Sequence, residues 1–431
     1  MEAEPSTSKL RCGTIAKLAY HHGEDARYVE MRNGLPPRLP FEIRRPAGTG
    51  MRLSKDRMLT THAGSMPRPQ VVVDMLSAQD RGEPLDQEDF DQTMGRAVRD
   101  VVAKQLEVGI DIPSDGEMSK IGYATYTRHR LSGFEGPGSA PRARPADLDA
   151  FPEFAEYLVT SGWGPKYFRP VCRGPIEVKD RTPLTKDIEH LRAAVGDWDG
   201  EAFMNAASPG VIAVFQPNEY YPTQQAYLAA LAEAMKAEYE EITRAGFVLQ
   251  VDCPDLAMER HITFRDESDD QFIRRIEEHV DALNHALSNV PAEAVRMHVC
   301  WGNYEGPHVL DIPFARIVQA VLKAKPAALL FEAANPRHAH EWAIWQIVDL
   351  PDNKVLVPGV IDTTTNYVEH PHLVAERICR FAEIVGRERV LAGTDCGFGT
   401  IAGSGSVHPS ICWPKLRTLA EGARIATERL W

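Results

Sequence analysis

The chain has 431 residues, of which 43% are hydrophobic and 25% are charged, a composition typical of a globular protein with a large buried core. Its formal net charge of −13 argues against nucleic acid as a partner, because phosphate binding requires clustered lysine and arginine. No apolar run approaches the ~20 residues of a membrane span, the first residues lack the apolar core of a secretory signal, and 7 scattered cysteines do not suggest a disulfide framework. These features predict a cytoplasmic protein that binds neither nucleic acid nor membrane, and they leave open whether it forms a homo-oligomer.

Residues 1–50 carry little hydrophobic periodicity and end in a proline-rich stretch, so we predict an N-terminal arm there rather than a domain. From Leu59 onward, helix, glycine and strand follow one another repeatedly, which indicates a parallel sheet covered by helices. The predicted strands lie at 59–65, 110–115, 201–207, 247–251, 294–299, 327–331, 354–361 and 390–395. About eight such units predict a closed (β/α)8 barrel, the TIM-barrel fold, in a single domain at 51–431.

Residues 118–200 do not fit this pattern. They are too many for one connecting helix, and they are rich in glycine, proline and aromatic residues. We therefore predict an elaboration between the second and third barrel strands that shapes the mouth of the barrel.

Polar side chains fall at or just beyond the carboxyl ends of the predicted strands. In a (β/α)8 barrel that end carries the catalytic residues, whatever the chemistry. The residues concerned are Ser65, Glu117, Asp252, His298, Cys300, Glu332, Asp362 and Cys396. The sequence therefore predicts one functional site at the barrel mouth.

Four of these residues have the side chains of a zinc site. His298 and Cys300 are two positions apart in a predicted strand, so both side chains point to the same face. Glu332 and Cys396 end two further predicted strands, and imidazole, thiolate and carboxylate are ligands that zinc accepts in a tetrahedral site. The plainer interpretation of His298 and Cys300 by themselves is a satisfied core histidine and a buried thiol.

Five motifs around these residues form a specific set when they are taken in order. They are Thr60-Thr61-His62-Ala63-Gly64-Ser65-Met66-Pro67-Arg68, Ser114-Asp115-Gly116-Glu117, Gln250-Val251-Asp252, His298-Val299-Cys300-Trp301-Gly302-Asn303 and Asp395-Cys396-Gly397-Phe398. The stretch from Leu59 to Thr400 that contains them resembles the catalytic domain of cobalamin-independent methionine synthase. That family is a branch of the uroporphyrinogen decarboxylase/methionine synthase-like barrels, and it also contains the epoxyalkane:coenzyme M transferases.

The resemblance implies both a metal site and a substrate site. The implied zinc ligands are His298, Cys300, Glu332 and Cys396. The residues implied to hold the amino and carboxylate groups of homocysteine are Ser65, Glu117 and Asp252. Two thiolates and a carboxylate around zinc would keep a bound substrate thiol ionised yet electron-rich, so that it can attack an alkyl carbon directly.

The alkyl-donor side departs from the synthases. Thr364 stands where the synthases carry a histidine that protonates the departing folate nitrogen, and residues 118–123 lack the synthases' pattern. The candidates for the remaining roles are Asp362 and His338 in catalysis and Tyr123 and Tyr126 in substrate binding. The plainer alternatives are that the aspartate and the histidine only support the metal ligands, and that the tyrosines pack the elaboration.

We therefore predict a zinc-dependent S-methyl- or S-alkyltransferase in which a small thiol, homocysteine or a similar one, attacks an alkyl donor. A rival within enzymes is the opening of an epoxide by a zinc thiolate, as in the coenzyme M transferases, which would need a basic pocket for a sulfonate. A rival of another kind is a barrel that binds zinc or a thiol without catalysis.

Overall fold

The computed structural model describes residues 50–137, 143–160 and 169–431. Residues 1–49 of the predicted N-terminal arm lie outside the described residues, so the arm and its boundary stay a prediction. None of the described helices is both long enough and apolar enough to cross a membrane.

The centre of the molecule is a parallel sheet of six strands, which are hydrogen-bonded in the order in which they occur along the chain. The strands are β3 Phe203–Ala207, β4 Val248–Asp252, β5 Val295–Val299, β6 Ala328–Phe331, β7 Val355–Ile361 and β8 Gly393–Thr394; β1 Phe134–Pro137 and β2 Pro170–Cys172 form a separate antiparallel pair. Every residue of β3 to β8 is buried, as expected for a parallel sheet covered on both faces.

Two short segments close the sheet into a barrel. Thr60 forms a parallel bridge with Ala392 beside β8, and the Ile112 amide donates to the Thr60 carbonyl at 3.0 Å. The Phe203 amide then donates to the Pro113 carbonyl at 3.0 Å, which joins this segment to β3. Eight parallel segments therefore surround one core, and the predicted (β/α)8 barrel is confirmed.

The strands predicted at 59–65 and 110–115 are reduced to isolated bridges. The Asp111 side chain accepts the Thr60 amide at 2.9 Å and the Thr60 hydroxyl at 3.0 Å, so it replaces strand partners there. Pro113 lacks an amide hydrogen and cannot extend the ladder.

Helices form the outer layer. They are α1 Gln70–Asp80, α2 Gln87–Glu107, α3 Pro152–Thr160, α4 Thr182–Val195, α5 Pro209–Phe215, α6 Gln224–Arg244, α7 Asp269–Ala286, α8 Phe314–Val321, α9 Pro371–Val385 and α10 Pro409–Leu430. The repeated pattern of helices and strands predicts a helix between β6 and β7, but this connection forms only a 3-10 helix at Glu341–Gln346. The Glu341 side chain there accepts from the Phe314 amide at 2.7 Å and from His338 at 2.8 Å, which ties the short helix to α8 and to the preceding turn.

The segment at 118–200 contains β1, β2, α3 and α4. The last of these, α4, packs against α2 in the outer layer, where Lys186 and His190 contact Asp91 at 3.4 and 3.1 Å. Helix α3 instead reaches the barrel mouth, where Phe154, Tyr157 and Leu158 line a cavity.

Candidate metal and substrate site

A cavity of about 620 Å³ opens at the carboxyl ends of the barrel strands. The residues predicted from the sequence that line it are Ser65, Glu117, Tyr123, Asp252, His298, Cys300 and Cys396. They arrive from six different segments of the chain, since only His298 and Cys300 share a strand end. Six of the eight polar residues predicted at strand ends therefore line this cavity, whereas Glu332 and Asp362 are absent from its lining.

Three potential metal ligands meet at the cavity floor. One ligand atom each from His298, Cys300 and Cys396 lies within 4.8 Å of the others, and all three residues are buried. His298 is the fourth residue of β5, Cys300 follows that strand at the same-face position, and Cys396 lies two residues after β8. The His298 ring is oriented by the Asp395 carbonyl, 3.1 Å from Nε2, and by Asp252, 3.6 Å from Nδ1.

The two thiols of this group have different acidities. A hydrogen bond from Cys396 lowers the pKa of Cys300 to about 7, against the effect of burial and with the help of the His298 charge. The same hydrogen bond, together with burial, raises the pKa of Cys396 well above its usual value. Two cysteine sulfurs and an imidazole are donors that zinc accepts once the thiols ionise, so these residues fit a zinc ion.

Glu332, the fourth predicted ligand, is not part of the three-residue group. Its Oε1 accepts from the Trp301 amide at 2.7 Å and its Oε2 accepts from the Asn335 side chain at 2.5 Å. Burial raises the pKa of Glu332 to about 8, opposed by the charge of His338 and assisted by that of Cys300, so the carboxyl group interacts electrostatically with the thiol site. The Asp395 side chain holds the turn that follows Glu332 by accepting three backbone amides, those of Ala333, Ala334 and Asn335, at 2.8 Å each.

Glu117 presents an open carboxylate to the cavity. Its backbone lies in the left-handed region at φ 55°, and Arg68 holds the loop by donating to the Glu117 carbonyl at 3.0 and 2.7 Å. Its Oε2 is buried and has no hydrogen-bond partner. Burial and the neighbouring Asp252 carboxylate raise the pKa of Glu117 to about 8. Such a buried pair of carboxylates favours a cationic ligand, since a cation would neutralise both.

Asp252, at the end of β4, is fixed from beneath by amide side chains of the barrel interior. Asn205 donates to both of its oxygens at 3.2 and 2.9 Å, and Gln250 donates to Oδ1 at 2.9 Å. Arg296 in turn donates to Gln250 Oε1 at 2.8 Å, and its guanidinium lies over the Phe203 ring at 3.5 Å. This chain of contacts leaves little freedom for the Asp252 carboxylate.

Ser65 lies against the loop that follows Cys396. The Phe398 amide donates to the Ser65 carbonyl at 2.8 Å, and a Cβ on Gly397 would come within 1.9 Å of the Ser65 hydroxyl oxygen. Only glycine therefore fits at position 397, and this close approach fixes Ser65 in the cavity lining beside Cys396.

The outer wall of the cavity is apolar and aromatic. Its aromatic residues are Tyr123, Phe154, Tyr157, Phe215 and Tyr304, and Leu158, Met258, Ile262 and Ile401 fill the spaces between them. Glu305 is the acidic residue at the exposed rim. Among the described residues that line the cavity there is neither lysine nor arginine.

Four predicted site residues lie outside the cavity lining, namely Glu332, which is described above, Asp362, His338 and Tyr126. Asp362 accepts from the Thr364 amide and hydroxyl at 2.7 and 2.8 Å and from the Thr365 hydroxyl at 2.7 Å, so its carboxylate caps its own loop. The two ring nitrogens of His338 contact Glu341 at 2.8 Å and Asp311 at 3.0 Å. Asp362 and His338 therefore stabilise loops, because their polar atoms already bind neighbouring side chains and backbone amides.

Tyr126 is also absent from the lining and lies in the buried core. Its hydroxyl donates to Glu238 at 2.7 Å and accepts the Ala207 amide at 3.2 Å, and Lys120 and Arg130 lie over its ring at 4.7 and 4.6 Å. Tyr123, three residues earlier, does reach the cavity and packs edge-on against Phe215 at 5.3 Å.

Sequence reasoning missed several residues that support or line the site. Asn303 donates to the Gly397 carbonyl at 2.7 Å and accepts from Thr363 at 2.9 Å, which ties three loops of the mouth together. Asn303 and Gln250 stand inside the motifs quoted above, so that signal was available. The wall residues Phe154, Tyr157 and Tyr304 belong to segments without periodicity or motif, and nothing in the sequence marks them.

Comparison with known proteins agrees with this arrangement. Residues 202–408 match the family model described as the catalytic domain of cobalamin-independent synthase. A methionine synthase of Sulfolobus acidocaldarius is 27% identical over 375 residues, which cover 86% of this chain and 93% of that protein. A methionine synthase of Saccharolobus solfataricus is 26% identical over 377 residues, which cover 86% of this chain and 95% of that protein.

A solved structure is similar in fold. It is a B12-independent methionine synthase from Shewanella in complex with selenomethionine, with a TM-score of 0.66 and 19% identity, and the match covers 87% of this chain and 99% of that one. The solved structure shows that the chain shares the (β/α)8 barrel fold. In sequence the chain is similar to the cobalamin-independent methionine synthases, which are methyltransferase enzymes, and the resemblance drawn from the sequence is confirmed.

Proposed function

We propose that this protein is a zinc-dependent S-methyl- or S-alkyltransferase whose acceptor is a small amino-acid thiol of the homocysteine type. The observation that carries the proposal is the meeting of His298, Cys300 and Cys396 at the floor of a cavity whose next residues are the open carboxylates of Glu117 and Asp252. The methionine synthases to which the chain is similar support the same reading.

The metal would be held by His298, Cys300 and Cys396, with Glu332 as the fourth ligand. Glu332 keeps unused lone pairs on both oxygens despite its bonds to Trp301 and Asn335, so it can take that position with a small shift of its side chain. When bound there, zinc would lower the pKa of a substrate thiol and keep it ionised and nucleophilic.

The acceptor would be oriented by its charged groups. Glu117 and Asp252 face the space beside the thiols, and an ammonium group between them would satisfy the buried Glu117 Oε2. Ser65, fixed next to Cys396, is the proposed contact for the acceptor's carboxylate. The substrate sulfur would then form its new bond to the alkyl carbon while the bond from that carbon to the leaving group breaks, without a covalent enzyme intermediate.

The two rival functions fit the cavity less well. A coenzyme M acceptor carries a sulfonate, which would require a cationic side chain, and the described lining has none. A barrel that only stores zinc would have no use for an unpartnered carboxylate aimed at the space beside the thiols.

The test is to measure the zinc content of the purified full chain and then to titrate it with homocysteine and, separately, with coenzyme M. X-ray absorption at the zinc edge reports whether a new sulfur ligand enters, and proton release reports ionisation of the thiol. We expect one zinc per chain and a sulfur ligand from homocysteine. Absence of zinc, or entry of coenzyme M alone, would contradict the proposal.

A further inference from the structure

We infer that the alkyl donor of this site is an onium cation, a sulfonium or a quaternary ammonium, rather than an anionic folate. This inference rests on the proposed function and names its second substrate. Three properties of the described cavity carry it: its charge, the aromatic composition of its outer wall, and the positions of the candidate proton donors.

The charge of the lining excludes a good fit for an anion. Glu117, Asp252 and Glu305 line the cavity, and no lysine or arginine accompanies them among the described residues. The two basic residues whose charges act on Glu117 already donate hydrogen bonds to backbone carbonyls. Arg68 donates to the Glu117 and Gly399 carbonyls, and Lys120 Nζ donates to the Asn205 carbonyl at 2.6 Å. A donor that carries carboxylates would meet like charge there without a partner.

The outer wall matches an alkylated cation. Five aromatic residues, Tyr123, Phe154, Tyr157, Phe215 and Tyr304, line the same cavity as the thiols, together with the exposed Glu305. Aromatic faces attract quaternary cations through the ring quadrupole, and the attraction is larger when the cation is desolvated. Because Glu117 and Asp252 are engaged by the acceptor's ammonium group, Glu305 is the carboxylate left for the donor.

The proton donors predicted from the sequence lie away from the cavity, and this suits an onium donor, because its departure requires no proton. A folate nitrogen or an epoxide oxygen must gain a proton as it leaves, which requires an acid at the mouth. Asp362 and His338 lie outside the lining with their polar atoms bonded to their own loops, and Thr364 replaces the expected histidine. In the onium reaction the thiolate pair forms the new carbon–sulfur bond, and the pair of the breaking bond goes to the onium atom. The leaving group is then a neutral thioether or tertiary amine, and no proton moves.

The experiment compares methyl donors on the zinc-loaded full chain with homocysteine as the acceptor. The donors are trimethylsulfonium, tetramethylammonium, methyltetrahydrofolate and methyl iodide, each followed by the appearance of methionine. Methyl iodide is neutral and needs no donor pocket, so it reports the activated thiol alone. We expect at least one of the two cations to be used at least tenfold faster than methyltetrahydrofolate, and the faster cation identifies the onium atom.

Two further arms test the recognition of charge. Choline should inhibit the reaction at a concentration at least tenfold lower than its neutral isostere 3,3-dimethylbutan-1-ol. The Glu305→Gln substitution should reduce the ratio of the cation rate to the methyl iodide rate severalfold. The matched control is Glu153→Gln on α3, an exposed glutamate that does not line the cavity, and it should leave that ratio unchanged.

The outcomes separate the donor inference from the proposed function. If methionine forms from methyl iodide faster with the protein than without it, but methyltetrahydrofolate outpaces both cations or neither cation reacts, then the onium inference is wrong and the proposed function stands. If the protein does not accelerate the formation of methionine from methyl iodide, the proposed function itself fails, and the inference fails with it.

Discussion

Two polar clusters lie near the carboxyl end of this barrel, and they differ in what their atoms contact. In the cavity, Glu117 keeps a buried oxygen without a partner, and the thiols of Cys300 and Cys396 contact one another. In the outer cluster, one Asp311 oxygen contacts His308 at 2.9 Å and His338 at 3.0 Å, and the other forms an ion-pair contact with His261 at 3.2 Å without a hydrogen bond.

This difference distinguishes residues that are positioned to bind a ligand from residues that stabilise the fold. The outer cluster also binds the elaboration, because Asp147 accepts from the Tyr304 hydroxyl at 3.0 and 2.9 Å and from the His308 amide at 2.7 Å. Its charges are paired within the protein, whereas in the cavity burial and the neighbouring Asp252 raise the pKa of Glu117 to about 8, so that a bound cation would favour its ionised form. We therefore expect substitutions in the cavity to change binding and chemistry, and substitutions in the outer cluster to change stability.

The largest effect should come from the metal group. Cys396→Ser should reduce the zinc content of the purified chain and lower turnover by more than roughly 10²-fold, since losing a ligand costs more than losing a ligand's hydrogen-bond partner. Metal analysis and the rate of homocysteine methylation measure both effects. The control is Cys379→Ser in α9, a buried free thiol away from the cavity, which should keep its zinc. Full zinc content and full activity in Cys396→Ser would show that this thiol is not a metal ligand.

The next effect should appear at the open carboxylate. Glu117→Gln removes one charged partner of the acceptor's ammonium, a contact worth about 1.5–3 kcal/mol, and should lower kcat/KM for homocysteine by roughly ten- to a hundredfold. The same variant should methylate 4-mercaptobutyrate, which is homocysteine without its amine, at a rate close to that of the original protein. An equal loss for both thiols would mean that Glu117 does not recognise the amine.

A smaller effect is expected one step further from the substrate. Gln250→Leu removes one of the amide donors to Asp252 and the partner of Arg296, and should raise KM for homocysteine about tenfold through the loss of a hydrogen bond to a charged group. Because the role is positioning, kcat with methyl iodide should change less than KM. Gln216→Leu serves as the control, since this buried glutamine contacts Thr127 and does not line the cavity. An unchanged KM in Gln250→Leu would show that Asn205 alone holds Asp252.

The sequence predicted the floor of the site better than its wall. His298 and Cys300 could be paired because side chains two positions apart in a strand share a face, and strand ends of a closed barrel converge. Asp362 and His338 could not be assigned this way, because the hydroxyls of Thr364 and Thr365 and the carboxylate of Asp311 redirect them, and such partners follow from loop conformation.

The wall depends on the packing of α3 and of the loops, which leaves no periodic trace in the sequence. Phe154 and Tyr157 look like ordinary residues of a short helix, and only the structure shows that they face the cavity. Tyr123 and Tyr126 are three positions apart, yet one lines the cavity and the other binds Glu238 in the core. The floor of the cavity was thus predictable, whereas its wall required the structure.

The smallest effect on catalysis is expected in the outer cluster. His338→Gln should leave the methyl iodide rate per bound zinc within about threefold, but it breaks a buried ion pair and should lower the free energy of unfolding by about 3 kcal/mol.

Asp311 and Glu341 raise the pKa of His338 to about 10 against the effect of burial. Its stabilising contribution is therefore complete below the unfolded histidine pKa of about 6.5 and is lost as the pH rises towards about 10. Asp311 has the opposite sign: its neighbouring histidines lower its pKa to about 2 against burial, so its contribution is lost only as the pH falls through that value. Urea unfolding of the original protein should show a decline in stability between pH 6.5 and 10 that is shallower in His338→Gln. An equal slope in both proteins, or a large loss of the methyl iodide rate, would place His338 with the cavity residues instead.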